Sequence, residues 1–302
     1  MRQELAHGDV VIATARPILR HLLANADQAI FSDEIIATVR GMMLHLSRQM
    51  LAEQAKQSGT NDIQGFIGNC QDDIALALLD DTDFLALTHS MTIEAQIASR
   101  LSQRSGIDPV LSPLLQELVA SKDETVAADA MRVLAAQARF MQQQRRMELP
   151  LGELPEPLFE RALQIFADSC AEHSLDCSAA MDSLRGNYDP RQRRIGKISR
   201  LIANMQHNAK RALEVDHAGL SIFITALGMA AEQERETIVL SLGENQCARL
   251  AISLRAAGLG QSAVEEQFLY IHPEITLPEG FDTIRSDRAA AMLSDAQIEG
   301  MH

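Results

Sequence analysis

Tryptophan is absent from this chain and only two tyrosines occur among its 302 residues, so aromatic side chains make up 4% of the whole. Stacking platforms for single-stranded nucleic acid need aromatic faces, and here there are few. The patterns G-x-x-x-x-G-K-[ST], G-x-G-x-x-G, H-E-x-x-H, G-x-S-x-G and C-x-x-C are all missing, which argues against the common nucleotide-binding, zinc-protease, serine-hydrolase and dithiol enzymes. No run approaches the roughly 20 apolar residues that cross a bilayer, and no signal-type segment follows Met1. The expected location is cytoplasmic, without membrane contact. The four cysteines, Cys70, Cys170, Cys177 and Cys247, are scattered and form no disulfide framework, so reduced thiols are expected.

What the chain has instead is 46% hydrophobic residues, dominated by Ala, Leu, Ile and Met, with Gln, Glu and Arg around them. These side chains lose little freedom in a helix, and no alternating strand pattern stands out. The fold class expected is all-α, two helical bodies comprising a helical bundle and a HEAT-like helical stack. Apolar residues at helical spacing mark one helix from Val10 to Leu23 and a second from Ile35 to Met50, N-capped at Ser32 or Asp33. Helical patterns continue near 72–79, 91–101, 111–120 and 124–141. Beyond the prolines they resume near 157–173, 193–214, 218–231, 235–242, 245–257 and 261–271.

Between these series lies "FMQQQRRMELPLGELPEPLFERAL". Pro150, Pro155 and Pro157 each lack an amide donor and bias the preceding residue away from the α region. The segment reads as a hinge rather than a docking peptide, with Pro155 or Pro157 in the first turn of the next helix. The expected domains are 1–149, with 1–57 a dimerisation hairpin, then the hinge 150–157, a C-terminal helical domain 158–275 and a loosely packed tail 276–302.

Two stretches resemble helical repeats. "DETVAADAMRVLAAQ" places Asp123, Val126, Ala130 and Leu134 much as in the second helix of a HEAT repeat, and "FITALGMAAEQERETIVLSLGENQCARLAISLRAAGLGQSAVEEQF" alternates short helices with tight turns. No fixed period links them. The second stretch also resembles an uncharacterised helical family of alphaproteobacteria, a domain of unknown function. That resemblance covers the C-terminal half only. It implies a HEAT-like stack and brings no catalytic residue.

Four groups of residues carry possible chemistry. Cys170, His173 and Cys177 would share a helix face and suit zinc, yet they continue the apolar stripe of Leu158, Ala162 and Phe166 with no fourth ligand, so core packing is the reading and no metal or cofactor is expected. His45 lies about 240° around the helix from Val39, away from Met42, Leu46 and Met50, and an accessible histidine on a helical hairpin could accept phosphate in two-component signalling. The acidic neighbour and Thr-Pro that accompany such histidines are lacking. Val39, Met42, Met43, Leu46 and Met50 form a stripe able to complete a four-helix bundle across a two-fold axis, which suggests a homo-oligomer.

The fourth group is the most distinctive. Residues 185–211 hold eight Lys and Arg against Asp189 alone, +7 in a chain whose net charge is −14. On a helical wheel Ile195, Ile198, Leu201, Ile202 and Met205 share one side, and Arg193, Lys197, Arg200, His207 and Arg211 share the other. A cationic ridge about 27 Å long would suit an acidic protein partner. Nucleic acid is disfavoured by the surrounding negative charge and the lack of aromatics. The expectation is therefore a non-catalytic interaction or regulatory protein, with His45 phosphotransfer and nucleic-acid regulation through the ridge as alternatives.

Overall fold

The computed structural model describes residues 33–59, 63–243, 246–278 and 280–299. The first expected helix, Val10 to Leu23, and the Ser32 cap lie outside them. Among the described residues the fold is all-α, without a strand. The described residues divide into two compact units, one within 33–92 and 139–196, the other within 93–138 and 197–299.

In the first unit, α1 (Asp33–Gln57) and α2 (Ile63–Asp80) pack closely, α1 also meets α6 (Glu156–Glu172) and α7 (Ser178–Asn187), and α2 meets α6. The reason is periodic. Val39, Met42, Met43, Leu46 and Met50 recur every three or four residues and are fully buried, and on α6 Phe159, Ala162, Leu163 and Phe166 do the same. The first residues of α3 (Thr82–Ser105) and the last of α5 (Glu124–Arg145) complete this unit. Gly41 allows a close approach that no other residue would: a Cβ there would fall 2.5 Å from the Cβ of Met147.

Residues 150–157 are no hinge between bodies. They lie within this unit, and Leu149, Leu151 and Leu154 are buried. Leucines alternate with prolines that need no donor partner, so the segment tucks its apolar side inward as a 3-10 turn, Leu151–Glu153, before Pro157 enters the first turn of α6. The boundaries between units fall at 92/93, 138/139 and 196/197, which replaces the expected division at 150–157.

The second unit centres on α10 (Leu220–Ala231), whose residues from Leu220 to Gly228 are all buried. Around it stand α9 (Val215–Ala218), α11 (Arg235–Ser241), α12 (Cys247–Ala256) and the 3-10 segment Gln206–Leu213. The short helix α4 (Pro113–Val119), N-capped by Ser112, packs on α9, and α13 (Gln261–Ile271) on α9 and α12. The turn from α9 into α10 requires Gly219, at φ 74° and ψ 157°, where a Cβ would meet that of Ser112 at 3.0 Å. The expected loose tail is also corrected: α14 (Ser286–Glu299) packs along α12, with Phe281, Ala289 and Leu293 buried and the Arg255 guanidinium bonded to the carbonyls of Leu259, Asp282 and Ile284. Four buried apolar side chains, these three and Met292, dock it.

Candidate functional site

The basic stretch folds as α8 (Arg194–Asn204) followed by the 3-10 segment, not as one helix. Gln206 adopts φ 49°, so the 100° step per residue ends there and the wheel that aligned Arg211 with Arg193 no longer applies. The apolar side behaves as expected, with Ile198, Leu201, Ile202 and Met205 buried. The cationic side does not form a ridge. Lys197 is buried. Arg200 Nε lies 3.5 Å from Oδ1 of the buried Asp129, which also takes Arg132 at 2.6 Å and Asn204 Nδ2 at 3.0 Å. Arg211 donates to Glu117 Oε2 at 2.6 Å and to His217 Nε2 at 2.7 Å. That bond holds the Glu117 carboxyl below the usual carboxylate range. In the other unit, Arg193 donates to the Glu153 carbonyl at 3.2 Å, and Arg194 sits 3.6 Å over the Phe140 ring with its amide on the Glu153 carboxylate. The side chain of His207 lies outside the described residues.

The methionine stripe is no intersubunit seam: Val39, Met42, Met43, Leu46 and Met50 are covered by their own chain. Nor is His45 a free surface imidazole. The Leu149 amide donates to its Nδ1 at 3.1 Å, Gln49 Nε2 donates to the Leu149 carbonyl at 2.9 Å, and the Leu151 amide donates to Gln49 Oε1 at 3.0 Å. These two side chains, one turn apart on α1, pair with 149–151 as a neighbouring strand would. His45 therefore serves as a backbone partner for donors that the proline-rich segment could not satisfy itself.

Cys170 and Cys177 are buried, and His173 is exposed, 3.8 Å from Asp73. Burial, then the neighbouring Cys177, pushes the Cys170 thiol up to about 12, which makes it inert. Cys177 donates to Met181 Sδ at 3.5 Å. Among the described residues no group of three or more His, Cys, Asp or Glu could hold a metal ion.

The polar centre that sequence reasoning missed lies in the second unit. Glu94 on α3 is fully buried, with Arg235 Nη2 2.8 Å from its Oε1 in a close ion contact that lacks hydrogen-bond alignment. Ser221 on α10 donates to the same carboxylate oxygen at 2.5 Å and accepts from Gln137 Nε2 at 2.8 Å. Gln137 also donates to the Pro109 carbonyl at 2.9 Å, and Arg235 Nε to Thr225 Oγ1 at 3.1 Å. Beside Ser221 and Gln137 is a cavity of about 10 Å³, room for one water and no organic substrate. The available signal was Glu94 itself, heading the stripe Ile97, Ala98 and Leu101 where an apolar residue would be expected. The arrangement ties α3, α5, α10 and α11 together through one carboxylate.

No helix among the described residues is long and apolar enough to cross a membrane. Comparison with protein-family models, with curated proteins and with solved structures finds no match in any of the three.

Proposed function

We propose that this chain is a non-catalytic interaction or regulatory protein, and that it meets its partner through acidic rather than basic surface. The observation that carries this reading is the fate of the cations in residues 185–211. Arg185 is bonded to Glu160, Arg200 is held by Asp129, Arg211 by Glu117 and Arg193 by the Glu153 carbonyl, so half of the eight cations of this basic run, in a chain at −14, are directed to its own acids and a carbonyl. The outward field that remains is negative, which favours cationic partners and opposes polyanions. Phosphotransfer finds less support, because the half-buried His45 imidazole is held through Nδ1 against the Leu149 backbone.

The test is zero-length carbodiimide crosslinking in extracts of the native host, read by mass spectrometry. The expected products join Asp or Glu of this chain to Lys of another protein and disappear at high salt. A yield of intramolecular links alone would overturn the reading.

A further inference from the structure

The most exposed of the large apolar side chains among the described residues stands on α13. The buried side of this helix is Val264, Gln267, Phe268 and Ile271, and its outer side runs Ser262, Glu265, Glu266, Leu269 and Tyr270 at three- and four-residue spacing. Leu269 is 66% exposed and Ile275, in the turn closed by its amide on the His272 carbonyl, is 39% exposed. Exposed apolar side chains thus stand both on the last turn of the helix and in the loop that follows it.

Its surroundings are dominated by acids. Residues 256–284 contain five acids and no Lys or Arg. Glu265 and Glu266 lie one turn before Leu269, Glu274 follows, and exposed Asp216 on α9 accepts from the Tyr270 hydroxyl at 3.3 Å. Asp216, with Glu266 adding to it, raises the Tyr270 phenol above its usual range, a mark of that field. Two basic side chains touch the region: Arg104 donates to the Ile271 carbonyl at the helix C-terminus, and the buried His272 lies 3.6 Å from Glu274.

We infer that the outer face of α13, Leu269 with Tyr270 and Ile275 amid Glu265, Glu266, Asp216 and Glu274, docks a basic amphipathic helix of a partner protein. Leu269 meets the apolar stripe of that helix, and its lysines or arginines reach the carboxylates while their stems cover the leucine edge. Apolar contact supplies hold, and the ring of carboxylates selects charge and speeds encounter. This inference rests on the reading of the chain as an interaction protein with an acidic surface.

The experiment uses the full chain and a fluorescein-labelled 14-residue Leu/Lys amphipathic helix, with its Leu/Glu counterpart as control, read by fluorescence anisotropy. Leu269→Glu removes the apolar contact and adds charge; Glu265→Lys with Glu266→Lys reverses charge and keeps the leucine; Met131→Glu alters an exposed apolar residue on another helix. The expected result is binding of the Leu/Lys helix weakened at least tenfold by either α13 variant and unchanged by Met131→Glu, with no binding of the Leu/Glu helix. Because all four positions are exposed, unchanged circular dichroism is expected throughout. Equal binding by the chain and both α13 variants would overturn the assignment to this face and leave the interaction reading standing. That reading falls separately, if crosslinking in the host finds no partner lysine.

Discussion

Two buried polar clusters, one in each unit, solve different problems. Around Glu94 a formal charge is buried and met by a cation, a hydroxyl and, through the hydroxyl, an amide. Around Leu149 nothing charged is buried, and the imidazole of His45 and the amide of Gln49 stand in for a missing strand. A buried charge that loses its partner is far costlier than a buried amide that loses one, because the desolvation penalty of an ion is several times that of a neutral dipole. The Glu94 cluster should therefore be the brittle one.

The largest effect expected is that of Glu94→Ala, which strands Arg235 in a site where its side chain is 12% exposed. A loss of about 3–5 kcal/mol in urea unfolding is expected. Adding Arg235→Met should recover much of it, since an uncharged pair removes the stranded ion. A double variant no more stable than Glu94→Ala would show that shape, not charge, dominates there.

An intermediate case is His89, buried in the first unit, where desolvation lowers the imidazole pKa to about 4. Its unfolded value is near 6.5, so between these limits the unfolded chain takes up a proton that the folded chain refuses. Stability from this group is intact above about pH 6.5 and falls as pH drops toward about 4, by about 1.4 kcal/mol per unit and about 3 kcal/mol in all. Urea midpoints at pH 7 and 4.5 measure it. The same acid slope in His89→Gln would refute the assignment.

His45→Ala should cost less, about 1–3 kcal/mol, because it leaves one buried neutral donor, the Leu149 amide, without its acceptor. Hydrogen exchange locates the effect: Leu149 should lose protection while the α6 amides keep theirs. Uniform loss across the unit would mean that His45 acts through packing instead.

The smallest change expected is from Arg211→Ala. Its partner Glu117 is half exposed, and pairs of this kind contribute little to stability, less as salt rises. A loss as large as that of Glu94→Ala would show that the 3-10 segment depends on this bond and would place the pair with the Glu94 cluster rather than at the surface.

Much of this fold is legible in the sequence. The α1 stripe, the limits of α13 and the apolar side of α8 all follow from spacing, because a helix face is defined within a few residues of itself. The proline segment was misread because Pro marks where regular bonding stops and says nothing of where the chain then lies; the bond that places it spans 104 positions, from His45 to Leu149. The cationic side was misread for the same reason. A wheel shows that Arg200 points away from Ile198, and it cannot show Asp129 waiting there.

The sequence by itself determined that this chain is helical, where its main apolar faces lie, and that its charge is lopsided, since propensity, period and net charge are properties of a string. Only the tertiary structure decided that the methionine stripe is core, that the arginines answer to their own acids, and that Leu269 is left outside among carboxylates. Each of those outcomes depends on which surfaces meet, and burial and pairing are set by neighbours far along the chain rather than by the residues on either side.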